Sequence, residues 1–296
     1  MSGVPAFFVD AQARVERALD QATSGRYDGP PVVRDAMRYT LLAPSKRVRA
    51  ILTEVACDLC GGPPASLGTG GGAMSAAVAI EMIHASSLIL DDLPSMDDAP
   101  MRRGRPSCHV QYGEAMATLA AFGLLSDAFG LIAWAYEPPL ARELTMLLSS
   151  AIGSDGLIAG QAEDLLATDT AVEFDTLERI HRRKTGALFS AAATAGAWVA
   201  GARDERVRAL QAYAKNLGLA FQIVDDLLDV TGDPAETGKA TLADARKTTF
   251  VSFSGVDGAR ELAAELCRTA DASLKPFGAK AAPLLELSAF VAGRRL

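Results

Sequence analysis

Apolar residues in this chain recur every three or four positions and almost never every second one, as at Val33, Met37, Tyr39, Leu41 and Leu42, or at Leu210, Tyr213, Leu217 and Phe221. That period puts them on one face of an α-helix and is incompatible with half-buried strands. No stretch alternates Val, Ile or Thr with polar residues, so no sheet is expected. Breakers fall at Gly61 to Gly72, Pro100 to Pro106, Pro138-Pro139, Thr168 to Phe174, Gly201 to Asp204, Gly232 to Thr241 and Gly255 to Gly258, and they cut the chain into helices. No low-complexity linker separates two halves, and 296 residues at about 150 per domain allow one domain or two. The fold predicted is a single all-α domain over residues 1–296, a bundle of long helices around a central cavity.

With 49% hydrophobic and 22% charged residues the chain is not a disordered one, and 6% aromatics point to an interior built from Ala and Leu. The net charge of -7 supplies no counterion-release term, so no nucleic-acid partner is expected. The opening residues, from Met1 to Asp10, lack the basic flank and long apolar run of a secretory signal, which reads as cytoplasmic. Thr185 to Ala202 carries no charge but is rich in Ala, Gly, Thr and Ser, so it reads as a buried helix and no transmembrane segment is expected. The Gly/Ala/Ser tract at 65–77 has no phosphate-cradle order and reads as a loop entering a helix. Cys57 and Cys60 are close in sequence, with Cys108 and Cys267 far off and no second ligand pair, so all four are expected as buried thiols.

Two acidic clusters break the apolar pattern. Asp91-Asp92-Leu-Pro-Ser-Met-Asp97-Asp98 places four carboxylates in eight residues, directly after Ser-Leu-Ile-Leu. Asp225-Asp226-Leu-Leu-Asp229 follows Phe221-Gln-Ile-Val, with Asp225 and Asp229 one helical turn apart on one face and Gln222 extending it. Carboxylates set in otherwise buried helices need partners, and hard divalent cations such as Mg²⁺ take oxygen ligands of this kind. Basic runs surround them: Lys46-Arg47-Val-Arg49, Arg102-Arg103-Gly-Arg105, Arg182-Arg183-Lys184-Thr185, and Lys239 with Lys247. Cations interleaved with metal-binding carboxylates suggest a metal-bridged phosphate or diphosphate ligand. His84 stands seven residues before Asp91, two turns away on the same face, and reads as a ligand contact. His109 and His181 read as structural.

These residues together resemble the isoprenyl diphosphate synthases, the trans-prenyltransferases, and within them the bacterial geranylgeranyl diphosphate synthases. The likeness runs from about Asp35 to Leu296. It is carried by Lys46 to Arg49, His84 to Asp98, Arg102 to Pro106, Tyr112-Gly-Glu114, Gly160 to Leu165, Lys184-Thr-Gly186, Phe221 to Asp229 and Gly238-Lys239. The resemblance implies Mg²⁺-dependent head-to-tail condensation of isopentenyl diphosphate with an allylic diphosphate. In it Asp91, Asp97, Asp225 and Asp229 hold Mg²⁺, three ions with substrate bound, with Asp92 a further ligand and Asp226 a weaker one. Arg102, Lys184, Thr185, Gln222 and Lys239 contact the allylic diphosphate, and Lys46, Arg49, His84 and Arg103 bind isopentenyl diphosphate without metal. Asp91, Asp97, Arg102, Lys184, Asp225 and Lys239 are then the groups that assist ionisation, and a homodimer is expected.

Chain length is expected to be set upstream of Asp91. Family members that stop at fifteen carbons carry a large aromatic five residues before the first aspartate, and here that position is Ser86, beside Ser87. Met82 and Ile83, one turn deeper, would end the pocket near twenty carbons, since a turn of about 5.4 Å matches one isoprene unit. The expected main product is geranylgeranyl diphosphate. Three departures stand out: Pro44-Ser45 replaces the usual Gly-Gly, Ala50 replaces the Pro after the second arginine, and Phe122 sits in a segment that ordinarily carries an acid. Phe122 is expected to pack into the chain tunnel, which leaves a farnesyl diphosphate synthase as the alternative. Arg294-Arg295-Leu296 reads as a frayed tail. A class I terpene cyclase would not need Lys46, Arg49 and His84, and a non-catalytic synthase partner would not need both acidic clusters.

Overall fold

The structure is a computed structural model in which residues 6–25, 28–70, 72–231 and 247–293 are described. Lys239 and the C-terminal Arg294-Arg295-Leu296 lie outside them. The described residues form helices α1 (Ala6–Thr23), α2 (Pro31–Leu41), α3 (Val48–Leu59), α4 (Met74–Asp91), α5 (Cys108–Tyr112), α6 (Glu114–Ala135), α7 (Pro138–Ile152), α8 (Leu157–Leu166), α9 (Phe174–His181), α10 (Ala187–Val199), α11 (Glu205–Thr231), α12 (Phe250–Ser273) and α13 (Ala282–Ala292). A π-helical turn, Arg182–Gly186, joins α9 to α10, and a 3₁₀ segment, Lys275–Ala281, joins α12 to α13. The all-α expectation holds, and the helix bounds follow the breakers. Proline begins α2 and α7, where the missing N–H costs nothing, and Gly255, at φ 68°, kinks α12.

One element departs from that expectation. Met101–Arg102 and Arg105–Pro106 pair as a two-residue antiparallel hairpin, β1 and β2. Its two turn residues, Arg103 and Gly104, both have positive φ, 54° and 75°, which is the turn whose twist matches paired strands.

The main core reaches from α1 to α13 and is led by Ala, Leu and Val. α4 packs on α6 and α3, and α10 packs on α3 and α11. Small residues bring α3 and α10 together: a Cβ built on Gly196 would lie 2.1 Å from the Thr53 carbonyl oxygen. The stretch Thr185 to Ala202 is therefore core and its helix is buried nearly throughout. Two other helices, Met74–Asp91 and Glu114–Ala135, are long and apolar enough to cross a membrane by length and composition, but the first is 72% buried inside the protein. The four cysteines are free and buried, as expected. A second apolar cluster, including Leu177, Ile223, Leu227 and Phe250, packs where α9, α11 and α12 meet and supports the C-terminal half of α11.

Candidate active site

The last turn of α4 ends at Asp91, and the chain then folds back on itself through Asp98. The Asp97 amide donates to the Asp91 carbonyl (2.9 Å) and the Asp98 amide to that of Leu93 (3.1 Å). Asp98 takes φ 45° to make this return. The fold holds Asp91 in a poorly hydrated position, and burial, aided by Asp97 and Asp92, pushes its carboxyl up to about 6 against the opposing pull of Lys184 and Arg102.

Asp92 corrects an expectation. It is 1% exposed, and both of its oxygens accept from Arg102 Nε at 3.0 Å, with Arg102 Nη2 also bonded to Oδ1. Its lone pairs are taken by a guanidinium, so it anchors Arg102 and is not placed as a metal ligand. The hairpin carries Arg102 and Arg103 to this spot. It is itself fixed by Tyr39, whose hydroxyl donates to the Pro106 carbonyl (2.8 Å) and whose ring lies 3.9 Å from the Arg105 guanidinium carbon.

The second wall comes from α8, the π-turn and α11. Lys184 Nζ donates to Asp164 Oδ2 at 2.6 Å, and Lys247 Nζ reaches both Asp164 (2.9 Å) and Asp97 (3.1 Å). These two ammonium groups hold the Asp164 carboxyl below its usual range, and Asp164 with Asp97 holds Lys247 above its own. Thr185 Oγ1 donates to Gln222 Oε1 (3.1 Å), and Gln222 Nε2 donates to Asp226 Oδ1 (3.0 Å). Asp226 Oδ2 accepts from the Phe250 amide (3.0 Å) at the start of α12, so this aspartate, 3% exposed, ties two helices together. Asp225 and Asp229 lie one turn apart on α11, on the face that Gln222 extends. Lys247 was expected only as one of the cations around the acidic clusters, and Asp164 was not singled out. They are 83 positions apart, and only the tertiary fold joins them to Asp97.

The third group is cationic. Arg49 Nη1 lies 3.3 Å from His84 Nε2, and the Arg49 guanidinium stacks 4.5 Å from the centre of the Phe189 ring. Burial first, then Arg49 and Arg103, hold His84 well below its usual value. His84 is thus neutral, and since guanidinium only donates, Nε2 is the acceptor and the proton sits on Nδ1. Burial likewise pushes Arg49 and Arg103 down to about 10. Lys46 Nζ is 5.7 Å from the Phe290 ring centre on α13.

Below these groups α4 presents its apolar turns. Met82 and Ile83 are each 2% exposed, and the Ser86 hydroxyl donates to the Ala121 carbonyl on α6 (2.9 Å). Ser87 Oγ turns back to the His84 carbonyl (2.9 Å). Phe122 corrects a second expectation: it is 61% exposed and points outward from α6, so it does not enter the interior.

Among the described residues no three His, Cys, Asp or Glu side chains converge as a ready-made metal cage. The donor set still fits Mg²⁺. It is all oxygen, burial raises the Asp91 carboxyl despite Lys184 and Arg102, and the Lys247 ammonium bridges Asp97 to a second carboxylate where a cation belongs.

Residues 30–269 match the family model described as Polyprenyl synthetase. The chain is 45% identical over 275 residues to geranylgeranyl pyrophosphate synthase 11, chloroplastic, of Arabidopsis thaliana, covering 90% of this chain and 75% of that one. Among solved structures it is similar to an FPP/GFPP synthase from Zymomonas mobilis in its apo form (32% identity, TM-score 0.84, 97% of each chain). It is also similar to geranyltransferase from Helicobacter pylori complexed with magnesium and isoprenyl diphosphate (30% identity, TM-score 0.83, 98% of this chain and 96% of that one).

Proposed function

The chain belongs to the polyprenyl synthetase family, and from that premise we propose that it condenses isopentenyl diphosphate head-to-tail with an allylic diphosphate, in a Mg²⁺-dependent reaction whose main product is geranylgeranyl diphosphate. The observation that carries this reading is the presence of two anion sites of different kind. One mixes the carboxylates Asp91 and Asp97 with Arg102, Lys184 and Lys247. The other pairs Arg49 with a neutral His84 beside Arg103 and has the character of a site for an anion bound without metal. A terpene cyclase needs only the first. The relatives named geranylgeranyl pyrophosphate synthase support the twenty-carbon product.

The allylic diphosphate is held by Arg102, Lys184, Thr185, Gln222 and Lys239, with Thr185 and Gln222 hydrogen-bonded to each other. Asp91, Asp97, Asp225 and Asp229 would hold the Mg²⁺, in our reading three ions once substrate is bound, and the metal supplies stabilisation of the negative charge that builds on the leaving oxygen. The allylic C–O bond breaks with both electrons going to the diphosphate. Arg102, steadied by Asp92, and Lys184, steadied by Asp164, meet that charge without donating a proton. The double bond of isopentenyl diphosphate, held by Lys46, Arg49, His84 and Arg103, gives its electron pair to the allylic carbon. A proton is then lost from the adjacent carbon to the released diphosphate. Holding two substrates in line replaces a bimolecular encounter, and the buried apolar wall keeps water from the cation.

The growing chain runs down α4 past Ser86 and Ser87 toward Met82 and Ile83. The assembly proposed is a homodimer, formed through the outer face of α6, where Leu119, Phe122 and Trp134 are 49%, 61% and 61% exposed. Incubation with Mg²⁺, labelled isopentenyl diphosphate and the C5, C10 or C15 allylic diphosphates, with sizing of the dephosphorylated products, tests the reading. A dominant C20 alcohol supports it. A C15 stop keeps the reaction and moves the floor above Met82. No elongation by folded protein with any primer overturns it.

A further inference from the structure

Among the described residues two buried carboxylates, Glu54 and Glu81, are not among the substrate groups just described. Glu54 meets Arg14 on the outer side of α3, and Arg14 is nearly half exposed. Glu81 is different. It sits in the middle of α4, one turn before His84, with a side chain 3% exposed, and its partner Arg47 is 2% exposed. A carboxylate placed in the wall of an apolar helix is expensive to bury, and one ion pair rarely offsets the loss of hydration of both groups.

The contacts of Glu81 show what it holds. One oxygen, Oε2, accepts from Arg47 Nη1 at 3.3 Å, and the other, Oε1, accepts from the Ala50 amide at 3.4 Å. These two residues bracket Arg49 in the first turn of α3. Arg47 in turn donates through Nη2 to the carbonyls of Leu41 (2.8 Å) and Ala43 (3.0 Å), so the same side chain secures the end of α2 and the loop that carries Lys46. Arg47 adopts φ 52°, a left-handed conformation that a non-glycine residue keeps only when its surroundings hold it. Gln12 of α1 adds one more tie, from Nε2 to the Ser45 carbonyl (2.6 Å).

Charge adds to geometry. Arg47, Arg102 and Arg49 bear unfavourably on Arg103, and Glu81 is the leading carboxylate acting on both Arg49 and Arg103. The Ala50 contact is specific to a residue with an N–H: a proline there would leave Oε1 without that donor.

We propose that Glu81 is the positioning residue of the isopentenyl diphosphate site: one buried carboxylate that, through Arg47 and the Ala50 amide, clamps the turn bearing Lys46 and Arg49 and keeps the Arg49 and Arg103 guanidinium groups aimed at a single anion. It does not touch substrate. The inference rests on the assignment of Lys46, Arg49, His84 and Arg103 to isopentenyl diphosphate.

The test is Glu81→Gln, which keeps the shape and removes the charge, measured by steady-state kinetics against both substrates. KM for isopentenyl diphosphate is expected to rise about tenfold, equivalent to roughly 1.4 kcal/mol of binding, while kcat and KM for the allylic diphosphate stay within about twofold. A purely structural role would move both KM values and kcat together, and that result overturns the proposal, as does an unchanged KM for isopentenyl diphosphate. If Glu81→Gln does not fold, Glu81→Asp serves: it keeps the charge and withdraws it by one methylene, and about a threefold rise in the same KM alone is expected. No change in Glu81→Asp overturns the clamp. Arg49→Met is the control for the underlying assignment. If it leaves KM for isopentenyl diphosphate unchanged, the substrate assignment fails; if it raises that KM and the Glu81 variants do not, only the present inference fails.

Discussion

Asp92 and Asp226 each give their oxygens to protein donors, Arg102 in one case, Gln222 and the Phe250 amide in the other. Their neighbours Asp91 and Asp225 are the ones proposed to hold the metal at the diphosphate site. Doubled aspartates divide the work, and this division is testable by metal titration. Asp97→Asn is expected to raise the Mg²⁺ concentration needed for half-maximal activity by about tenfold, whereas Asp92→Asn lowers activity through a loosened Arg102 and leaves that concentration within about twofold. Ser86→Phe should shorten the product to fifteen carbons, since the new ring must occupy the space above Met82 and Ile83; an unchanged product length in a chromatographic assay would remove Ser86 from the ruler. His181 supplies a stability test. Burial beside Phe250 pushes it down to about 4 from a usual 6.5, so the unfolded chain binds a proton that the folded one refuses. Stability should therefore fall as pH drops from about 6.5 to 4, by up to about 3 kcal/mol, and urea melts of His181→Phe should lose that part of the pH dependence.

At the scale of elements, α8 meets the π-turn so closely that glycine is required. A Cβ on Gly160 would lie 2.3 Å from the Lys184 amide nitrogen and 2.8 Å from the Arg183 Cβ. Gly160→Ala should cost about 1–3 kcal/mol of stability and displace Lys184 from Asp164, read as a lower melting temperature together with a raised KM for the allylic substrate. The helices and both acidic clusters were legible because each is written in consecutive residues with a 3.6 period. The hairpin at Arg102 to Arg105 was not, since its strands are two residues long and its turn depends on an arginine accepting positive φ. Phe122 was misplaced for a physical reason. α6 is apolar on nearly every face, so its period does not say which side is buried. Asp164 and Glu81 were missed because their partners lie far off in sequence, at separations of 83 for Lys247 with Asp164 and 34 for Arg47 with Glu81.

The whole molecule leaves one long apolar helix largely uncovered. α6 has a mean hydropathy of 1.7 over its most apolar window and only 33% of that window is buried, while α4, comparably apolar, is enclosed. A surface of this kind asks for a partner, and in the homodimer we propose a two-fold pairing of α6 with α6 would cover the same residues on both copies. Leu119→Lys combined with Phe122→Lys is expected to convert the protein to a monomer by light scattering while leaving far-ultraviolet circular dichroism unchanged. A dimer that survives both charges would place the interface elsewhere.

In the mechanism proposed above, α4 ends at Asp91, beside the allylic bond that breaks, and earlier turns of the same helix carry Ser86, Ile83 and Met82, against which the product is measured. Chemistry and ruler thus share one rigid rod but not one segment of it. Descendants of such a chain can change the molecule they release by exchanging a side chain at Met82, Ile83 or Ser86, each an ordinary point mutation, with the catalytic apparatus inherited intact. Divergence in product is therefore separable from retention of reaction, and a lineage built on this helix can explore new lipids without passing through an inactive ancestor.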